Sequence, residues 1–370
     1  MKNRILIDNY SEIMEKPKVL LIQEELKNYR DSIYSLINRK VDLTVGYTVS
    51  ADFTESSYPI IKLPYKKIGR IIWHQRFLRI INQFDVVVFV PHFKMIRVAA
   101  LPFLPHKPKL VTWCLGVHAS YTRPYDLSKD PDIQDRLFEE IQDHADACVV
   151  YMPEPIEYWK KYRNLNDKKY FVAHNTVSVL PYDISETTKR NVILFVGTLY
   201  KQKGIGELLE CYARAKERVS NLPKLVIIGK GPEKDDIETQ VKQLHLDNAV
   251  ELTGAIYEEG VLKNYFLRSV ICVSPKQAGL TVLKSIGYGV PFITRTDAIT
   301  GGEKANVIPG QTGYFYDTEE ELVDILCDTA VNPQKFAAMS ETARDYYKTK
   351  ASPEKMAQGV VDAIYYSLNS

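Results

Sequence analysis

The chain has 370 residues, 45% of them hydrophobic and 25% charged, with 48 Lys and Arg against 46 Asp and Glu for a net charge of +2. That length exceeds one ordinary core and predicts two globular domains, while the absence of any apolar run near the roughly 20 residues of a membrane span excludes a helical membrane protein. The charge is uneven, about +5 before residue 180 and about −3 after it, a mild basic bias that suits an anionic surface or acceptor and argues against nucleic acid as a partner.

The opening segment MKNRILIDNYSE puts Asp8 and Asn9 where a signal peptide needs its apolar stretch, so a cytoplasmic location is expected. Cys114, Cys148, Cys211, Cys272 and Cys327 are scattered, odd in number and set in apolar runs, and read as reduced core residues without metal-ligand spacing. Strands are predicted at Lys18–Ile22, Leu43–Gly46, Val86–Val90, Leu110–Cys114 and Ala147–Tyr151. Between the second and third, YKKIGRIIWHQRFLRIINQF (65–84) interleaves Lys66, Lys67, Arg70, Arg76 and Arg79 with Ile, Trp and Phe and holds no acid. It is read as a basic amphipathic helix, either resting on an anionic membrane or simply presenting a solvated basic face.

A polar, turn-rich stretch at 175–190 marks the boundary. Beyond it strands and helices alternate: strand Val192–Val196, helix Gly206–Arg218, strand Leu225–Ile228, helix Pro232–Leu244, strand Val250–Thr253, helix Glu258–Leu267, a strand at Val270 and a helix at Leu280. Short strands that are apolar on both faces belong to a parallel sheet covered by helices on both sides. A last helix is predicted at Glu354–Ser367.

The most informative stretch is Ser274–Pro291, SPKQAGLTVLKSIGYGVP, a strand end, a Gly-containing loop and a helix start flanked by Lys276 and Lys284. Free N–H groups at such a helix start favour an anion, so the segment reads as a diphosphate seat with Gly279, Leu280 and Thr281 offering N–H groups. A second stretch, ILFVGTLYKQKGIGELL (193–209), ends a strand at Gly197 and Thr198 and places Lys203 six residues after Gly197. In IIGKGP (227–232) and TGAIY (253–257), strands run into turns that present Lys230, Ile256 and Tyr257. Asp235 and Asp236 are adjacent on a helix and point to different faces, so they do not form a metal-binding Asp-x-Asp, and no metal site is expected.

The order and content of these motifs resemble the nucleotide-sugar glycosyltransferases of the GT-B fold, in particular the retaining family 4. That family carries Glu, seven residues, Glu, then a small-residue run ending in Gly-x-Pro; the tail matches at Gly289–Pro291, but Lys276 and Lys284 stand where both glutamates would be. The resemblance implies an α/β, GT-B fold: two Rossmann-like doubly wound domains facing across a cleft. Residues 1–180 would form the acceptor domain, 181–350 the donor domain, and 351–370 a C-terminal helix crossing back to the first domain. It also implies a metal-independent glycosyltransferase of the hexosyltransferase type that needs no cofactor.

On that resemblance the donor is a nucleoside diphosphate sugar, UDP-linked by preference, and the acceptor a surface-glycan or lipid-linked saccharide. Lys203 and Lys276 would neutralise the leaving diphosphate, and Gly197, Thr198, Lys230, Ile256, Tyr257, Gly279, Leu280, Thr281 and Lys284 would line the donor site. His118, at the end of the strand in WCLGVHAS, would face the donor sugar or act as a base, with Asp126 as the other candidate base. Lysine in place of the first glutamate suggests a carboxylate-bearing sugar such as a uronic acid. Asn175 reads as a turn former, and Gly301, Gly302, Glu303 and Gly310–Gly313 echo the family's C-terminal loops. Loss of both glutamates leaves two other readings open: an inactive GT-B binding or scaffold partner, and a nucleotide-sugar epimerase of the same fold.

Overall fold

A computed structural model describes residues 15–119, 125–187 and 190–370. The opening segment MKNRILIDNYSE, from which a cytoplasmic location is expected, lies outside the described residues. The chain divides into two compact units: Met1–Val117, Lys129–Ala173 and Met356–Ser370 in the first, His118–Ser128 and His174–Lys355 in the second.

The first unit holds a seven-stranded sheet of β1 (Lys18–Leu26), β2 (Asp42–Ala51), β3 (Ile60–Lys62), β4 (Val86–Phe89), β5 (Lys109–Cys114), β6 (Ala147–Val150) and β7 (Tyr170–Val172). Its order is β3-β2-β1-β4-β5-β6-β7 and every pair is parallel. The second unit holds six strands: β8 (Val192–Val196), β9 (Lys224–Ile228), β10 (Val250–Gly254), β11 (Ser269–Val273), β12 (Phe292–Arg295) and β13 (Gly313–Tyr316). They lie in the order β10-β9-β8-β11-β12-β13, again all parallel. Both are doubly wound Rossmann-type orders, in which the chain builds outward from the middle in one direction, returns, and builds outward in the other.

Each strand predicted from a short apolar run is found, since a strand covered on both faces has no solvent side to alternate with, while β3, β7, β12 and β13 lie outside those predictions. All four residues of β4 and of β6 are buried. Helix Ile205–Arg218 turns Leu208, Leu209, Cys211, Tyr212 and Ala215 to the core at helical spacing. The terminal helix, Pro353–Asn369, buries Met356, Val360, Ala363 and Ile364 in the core of the first unit with Val19, Leu43 and Val149.

The segment 65–84 is not a helix. Tyr65–Ile68 and Ile71–His74 form an antiparallel hairpin, and only Phe77–Ile81 is helical. Gly69, at φ +59°, supplies the positive φ that a two-residue hairpin loop requires between Ile68 and Ile71. The physical pattern is period two: Ile72 and His74 are buried while Ile71 and Trp73 are exposed, and β-branched isoleucines favour that arrangement. His74 is anchored by Thr48 Oγ1 at 3.0 Å from its Nε2, and Arg97 stacks on Trp73 at 5.1 Å while donating to the His74 carbonyl.

Glu139 lies fully buried in the first unit, accepting from Gln142 Nε2 at 2.8 Å and from the Tyr170 hydroxyl at 3.0 Å. Burial outweighs those donors and raises its pKa from 4.5 to about 8. A carboxyl group raised on folding stabilises the fold when protonated, fully below about 4.5 and progressively less as pH rises to about 8. Glu139→Gln is therefore expected to gain stability relative to the native chain between pH 5 and 9, on the order of a few kcal/mol. Urea titrations of both proteins at the two pH values test this; equal losses of stability in both would refute it.

Candidate functional site

In the second sheet β8 and β11 are neighbours whose connections run to opposite sides, so their carboxyl ends open on the crevice where ligands of doubly wound proteins bind. Two connections shape it. From β8 the chain passes Gly197, Thr198 and Leu199, makes one tight turn at Lys201–Lys203 and enters helix Ile205–Arg218 through Gly204 at φ +72°. From β11 it passes Ser274, Pro275 and Lys276, then the two-residue strand Gln277–Ala278, into helix Thr281–Gly287. The two are tied together: Lys276 N donates to Lys203 O at 3.3 Å, Thr281 Oγ1 to Val196 O at 3.4 Å, and the Tyr200 hydroxyl to Gln277 Oε1. The Lys276 side chain lies so close over Gly204 that a β-carbon there would stand 2.9 Å from its Cγ.

Lys203 is half-buried, and its Nζ lies 3.6 Å from where a β-carbon on Gly197 would be. Among the described residues no carboxylate lies within ion-pair distance of it. Burial lowers its pKa, opposed only by the more distant influence of Cys272 and Glu303. Among the described residues it is a partly desolvated cation without a carboxylate partner.

Lys276 and Lys284 differ in this respect. Lys276 Nζ stands 3.2 Å from Glu207, a carboxylate only 9% exposed that also accepts from the Tyr316 hydroxyl at 2.9 Å and faces Arg295 at 3.6 Å. Lys284 Nζ donates to both oxygens of Glu259, at 2.6 and 2.7 Å. Each of these two lysines has thus met a glutamate from another element. Lys230 and Tyr257 lie together on the exits of β9 and β10, the ammonium 5.4 Å from the ring centre and the ring 75% exposed. Ile256 packs against the apolar layer under that sheet, and around Gly279 the space is open.

The remaining candidates lie on other segments of the chain. His118 is half-buried, two residues beyond Gly116, whose carbonyl is held by Gln142 Nε2 at 3.1 Å and Trp159 Nε1 at 3.0 Å. Asp126 accepts from the backbone and hydroxyl of Ser128, as a turn-forming aspartate does. Asn175 is buried and donates to Glu303 at 2.8 Å; Glu303 also accepts from Gly301 N at 2.9 Å, so both belong to the interior of the second unit. Glu207, Glu259 and Arg295 escaped the reading of the sequence. The only trace of Glu207 was an acid inside the apolar pattern of GIGELL.

Residues 182–346 match the family Glycosyl transferases group 1. The chain is 22% identical over 237 residues to the alpha-monoglucosyldiacylglycerol synthase of Acholeplasma laidlawii, covering 60% of this chain and 58% of that protein. It is 26% identical over 216 residues to the N-acetyl-alpha-D-glucosaminyl L-malate synthase of Bacillus anthracis, covering 56% and 53%. The chain thus spans little more than half the length of these relatives. In structure it is similar to HepE of Anabaena in complex with UDP, with a TM-score of 0.69 and 14% identity over 94% of this chain and 99% of that one. The pneumococcal O-GlcNAc transferase GtfA in complex with UDP and GlcNAc gives the same TM-score at 12% identity, over 96% and 100%. The fold is GT-B.

The Gly-x-Gly of the second unit, Gly229 and Gly231, has a backbone reason. Gly197 N donates to Ile228 O and Leu199 N to Lys230 O, each at 3.0 Å, strapping the exits of β8 and β9 together. A β-carbon on Gly229 would stand 1.9 Å from Gly197 O, and one on Gly231 2.1 Å from Leu199 O. Gly229→Ala is expected to lower stability by about 1–3 kcal/mol, the range for forcing volume into a packed site. Thermal unfolding measures it, and an unchanged midpoint would show that the strap yields at no cost.

Among the described residues no helix is long and apolar enough to cross a membrane, and no group of three or more His, Cys, Asp and Glu is placed to hold a metal ion.

Proposed function

We propose that the protein is a metal-independent glycosyltransferase of the hexosyltransferase type. It moves a sugar from a nucleoside diphosphate sugar, UDP-linked by preference, to a surface-glycan or lipid-linked saccharide. The observation that carries this is Lys203: a half-buried cation without a carboxylate partner at the crevice of a parallel sheet. A protein gains nothing from such a charge unless an anion completes it. When the bond between sugar and diphosphate breaks, negative charge grows on the leaving oxygens, and a preplaced cation in a desolvated site acts where that charge develops. Lys276 stands beside it as a shared cation, already half satisfied by Glu207, and Tyr257 with Lys230 offers an exposed ring for the base. The UDP in the similar structures of HepE and GtfA supports the choice of nucleotide. His118 is retained as the residue facing the sugar. The two other readings, inactive partner and epimerase, draw no support from the relatives' names, all of them of synthases or glycosyltransferases.

The test is a thermal-shift panel of UDP, GDP, ADP and CMP. At a hundredfold excess over its dissociation constant a ligand adds about 2.7 kcal/mol of stability, so UDP is expected to raise the midpoint and Lys203→Ala to abolish the rise. Because burial lowers the pKa of Lys203, UDP affinity should fall as pH climbs towards that lowered value, at lower pH than an ordinary lysine would allow. No shift with any nucleotide would overturn the proposal, and an epimerised sugar formed from donor alone would replace it. A uronic acid donor would have to displace Glu207 from Lys276; faster turnover of UDP-glucose than of UDP-glucuronate would rule that donor out.

A lipid-linked acceptor has support of its own in the 65–74 hairpin. Lys66 pairs with Trp73 and Ile68 with Ile71, placing all four on one face, with Arg70 in the loop and Lys67 exposed beside them. Ile68 is 63% exposed and Trp73 44%. Apolar and aromatic side chains among cations, with no acid, are the composition of an element that enters an anionic lipid surface. Each cation is worth about 1 kcal/mol there, so the triple change of Lys66, Lys67 and Arg70 to Glu should cut binding to anionic vesicles at least on the order of a hundredfold. Co-flotation with phosphatidylglycerol vesicles reads it, and a wild-type protein that does not float would remove the hairpin from the account.

A further inference from the structure

The crevice at Lys203 lies at the carboxyl ends of the second sheet. One strand length away, about 16 Å for the five residues of β8, the amino ends carry a second concentration of positive charge. Arg190, two residues before β8, donates through Nη1 to Ser269 O at 2.5 Å and through Nη2 to Tyr288 O at 3.0 Å. Arg344, on helix Pro333–Tyr346, packs on the same turn: a β-carbon on Gly289 would stand 2.7 Å from its Cγ and 2.9 Å from its Nη1. Gly289 also has φ +65°, so the glycine of the Gly-x-Pro run is required both by the turn and by the arginine lying over it. Tyr182 completes the group, its hydroxyl donating to Gly287 O at 3.1 Å and meeting the Arg344 guanidinium.

The charges here do not balance. Among the described residues no carboxylate lies within ion-pair distance of either guanidinium. Asp183 accepts from the N–H and the hydroxyl of Ser185, both at 2.9 Å, and Glu259 is held by Lys284. Arg344 is only 9% exposed and Arg190 is half-buried; burial, and then the charge of Arg344, push the Arg190 pKa down to about 10. What the two arginines do meet is the carboxyl end of helix Thr281–Gly287, whose dipole offers at most about half an elementary charge against two full ones. A guanidinium has five N–H donors, and the contacts of Arg190 with Ser269 and Tyr288 leave the others for a further acceptor. Like charges side by side in a partly dry recess are unfavourable until an anion joins them.

We infer that Arg190 and Arg344 form an oxyanion site that takes a phosphoryl group, separate from the crevice at Lys203. Planar guanidinium forks grip pairs of oxygens, and a tetrahedral phosphoryl group has enough oxygens to satisfy two of them, which a carboxylate does not. Arg190 precedes β8 and holds the first residue of β11, so an anion there braces the amino ends of the two strands whose carboxyl ends open the crevice. The inference does not rest on the glycosyl-transfer reading, since every residue in it belongs to the second unit and lies at the other end of the sheet.

The probes are inorganic phosphate and glycerol 3-phosphate, titrated calorimetrically at constant ionic strength into the full chain carrying Lys203→Ala, so that the crevice lysine does not contribute. Binding is expected, and Arg190→Gln in that background should weaken it at least tenfold. Arg190→Lys, which keeps the charge and loses the fork, should weaken it by less; a cooperative thermal transition in phosphate-free buffer shows that each variant is folded, and the lysine variant carries the test if the glutamine variant is not. Binding of inorganic phosphate alone marks the occupant as the free ion, and binding of both marks it as a phosphomonoester of the kind a sugar phosphate or lipid headgroup presents. No heat with either probe, or affinity unchanged by the substitutions at Arg190, overturns the inference. Neither result touches the glycosyl-transfer reading, which stands or falls on the UDP shift of the native chain.

Discussion

The handedness of the crossover connections is the constraint on which the rest depends. A parallel strand reached through a helix must be approached in the right-handed sense, so a sheet built outward from its middle in both directions has to reverse at one pair of strands. In both units that pair is the first and fourth strand, β1 with β4 and β8 with β11. No connection roofs the carboxyl ends of such a pair, and the loops leaving it diverge to opposite faces. The chemistry of the second unit's crevice hangs on that divergence. The Lys203 side chain lies across the strand end at Gly197, Gly204 turns the chain under Lys276, and Gly229 and Gly231 let a neighbouring connection press against the backbone.

Within this frame the distribution of charge follows from which elements meet. Glu207 begins its helix facing the segment after β11, and there it gathers Lys276, Arg295 and the Tyr316 hydroxyl. Glu259, on a different helix, takes Lys284. Two lysines that look like free cations along the chain are each compensated, whereas among the described residues Lys203 meets no carboxylate. A partly buried pair holds its geometry but does little for an incoming anion, whereas an unpaired desolvated cation gains more from one. In the first unit Glu25 and Lys27 pair at the exit of β1 and Glu24 faces His92, while the 65–74 hairpin carries Lys66, Lys67 and Arg70.

The hairpin illustrates how a sequence pattern can be read on the wrong period. From Tyr65 to Phe84 the isoleucines, Trp73 and Phe77 fall at intervals that satisfy a helix about as well as a strand, and the cations fit either face. What selects the strand is the burial of Ile72 and His74 against Thr48 and Met95, together with a glycine where a tight loop needs positive φ. Those are tertiary contacts, and a window of the sequence does not contain them. The same holds for Asn175, which has the local look of a turn residue and is instead the buried partner of Glu303, 128 positions away.

The sequence by itself determined the architecture and the place of the crevice in the second unit. Short strands apolar on both faces, spaced by amphipathic helices, have few solutions other than parallel doubly wound sheets, and glycines at strand ends mark where the backbone must pass closely. Local chemistry likewise pointed to Gly197, Lys203 and the Ser274–Pro291 loop, because strand, turn and helix start are written in consecutive residues. Only the tertiary structure decided which charges remain free. Whether a lysine is a ligand or half of an ion pair depends on an acid that can come from anywhere in the chain, and Glu207 and Glu259 are brought to their places by long-range packing, which has no period to read.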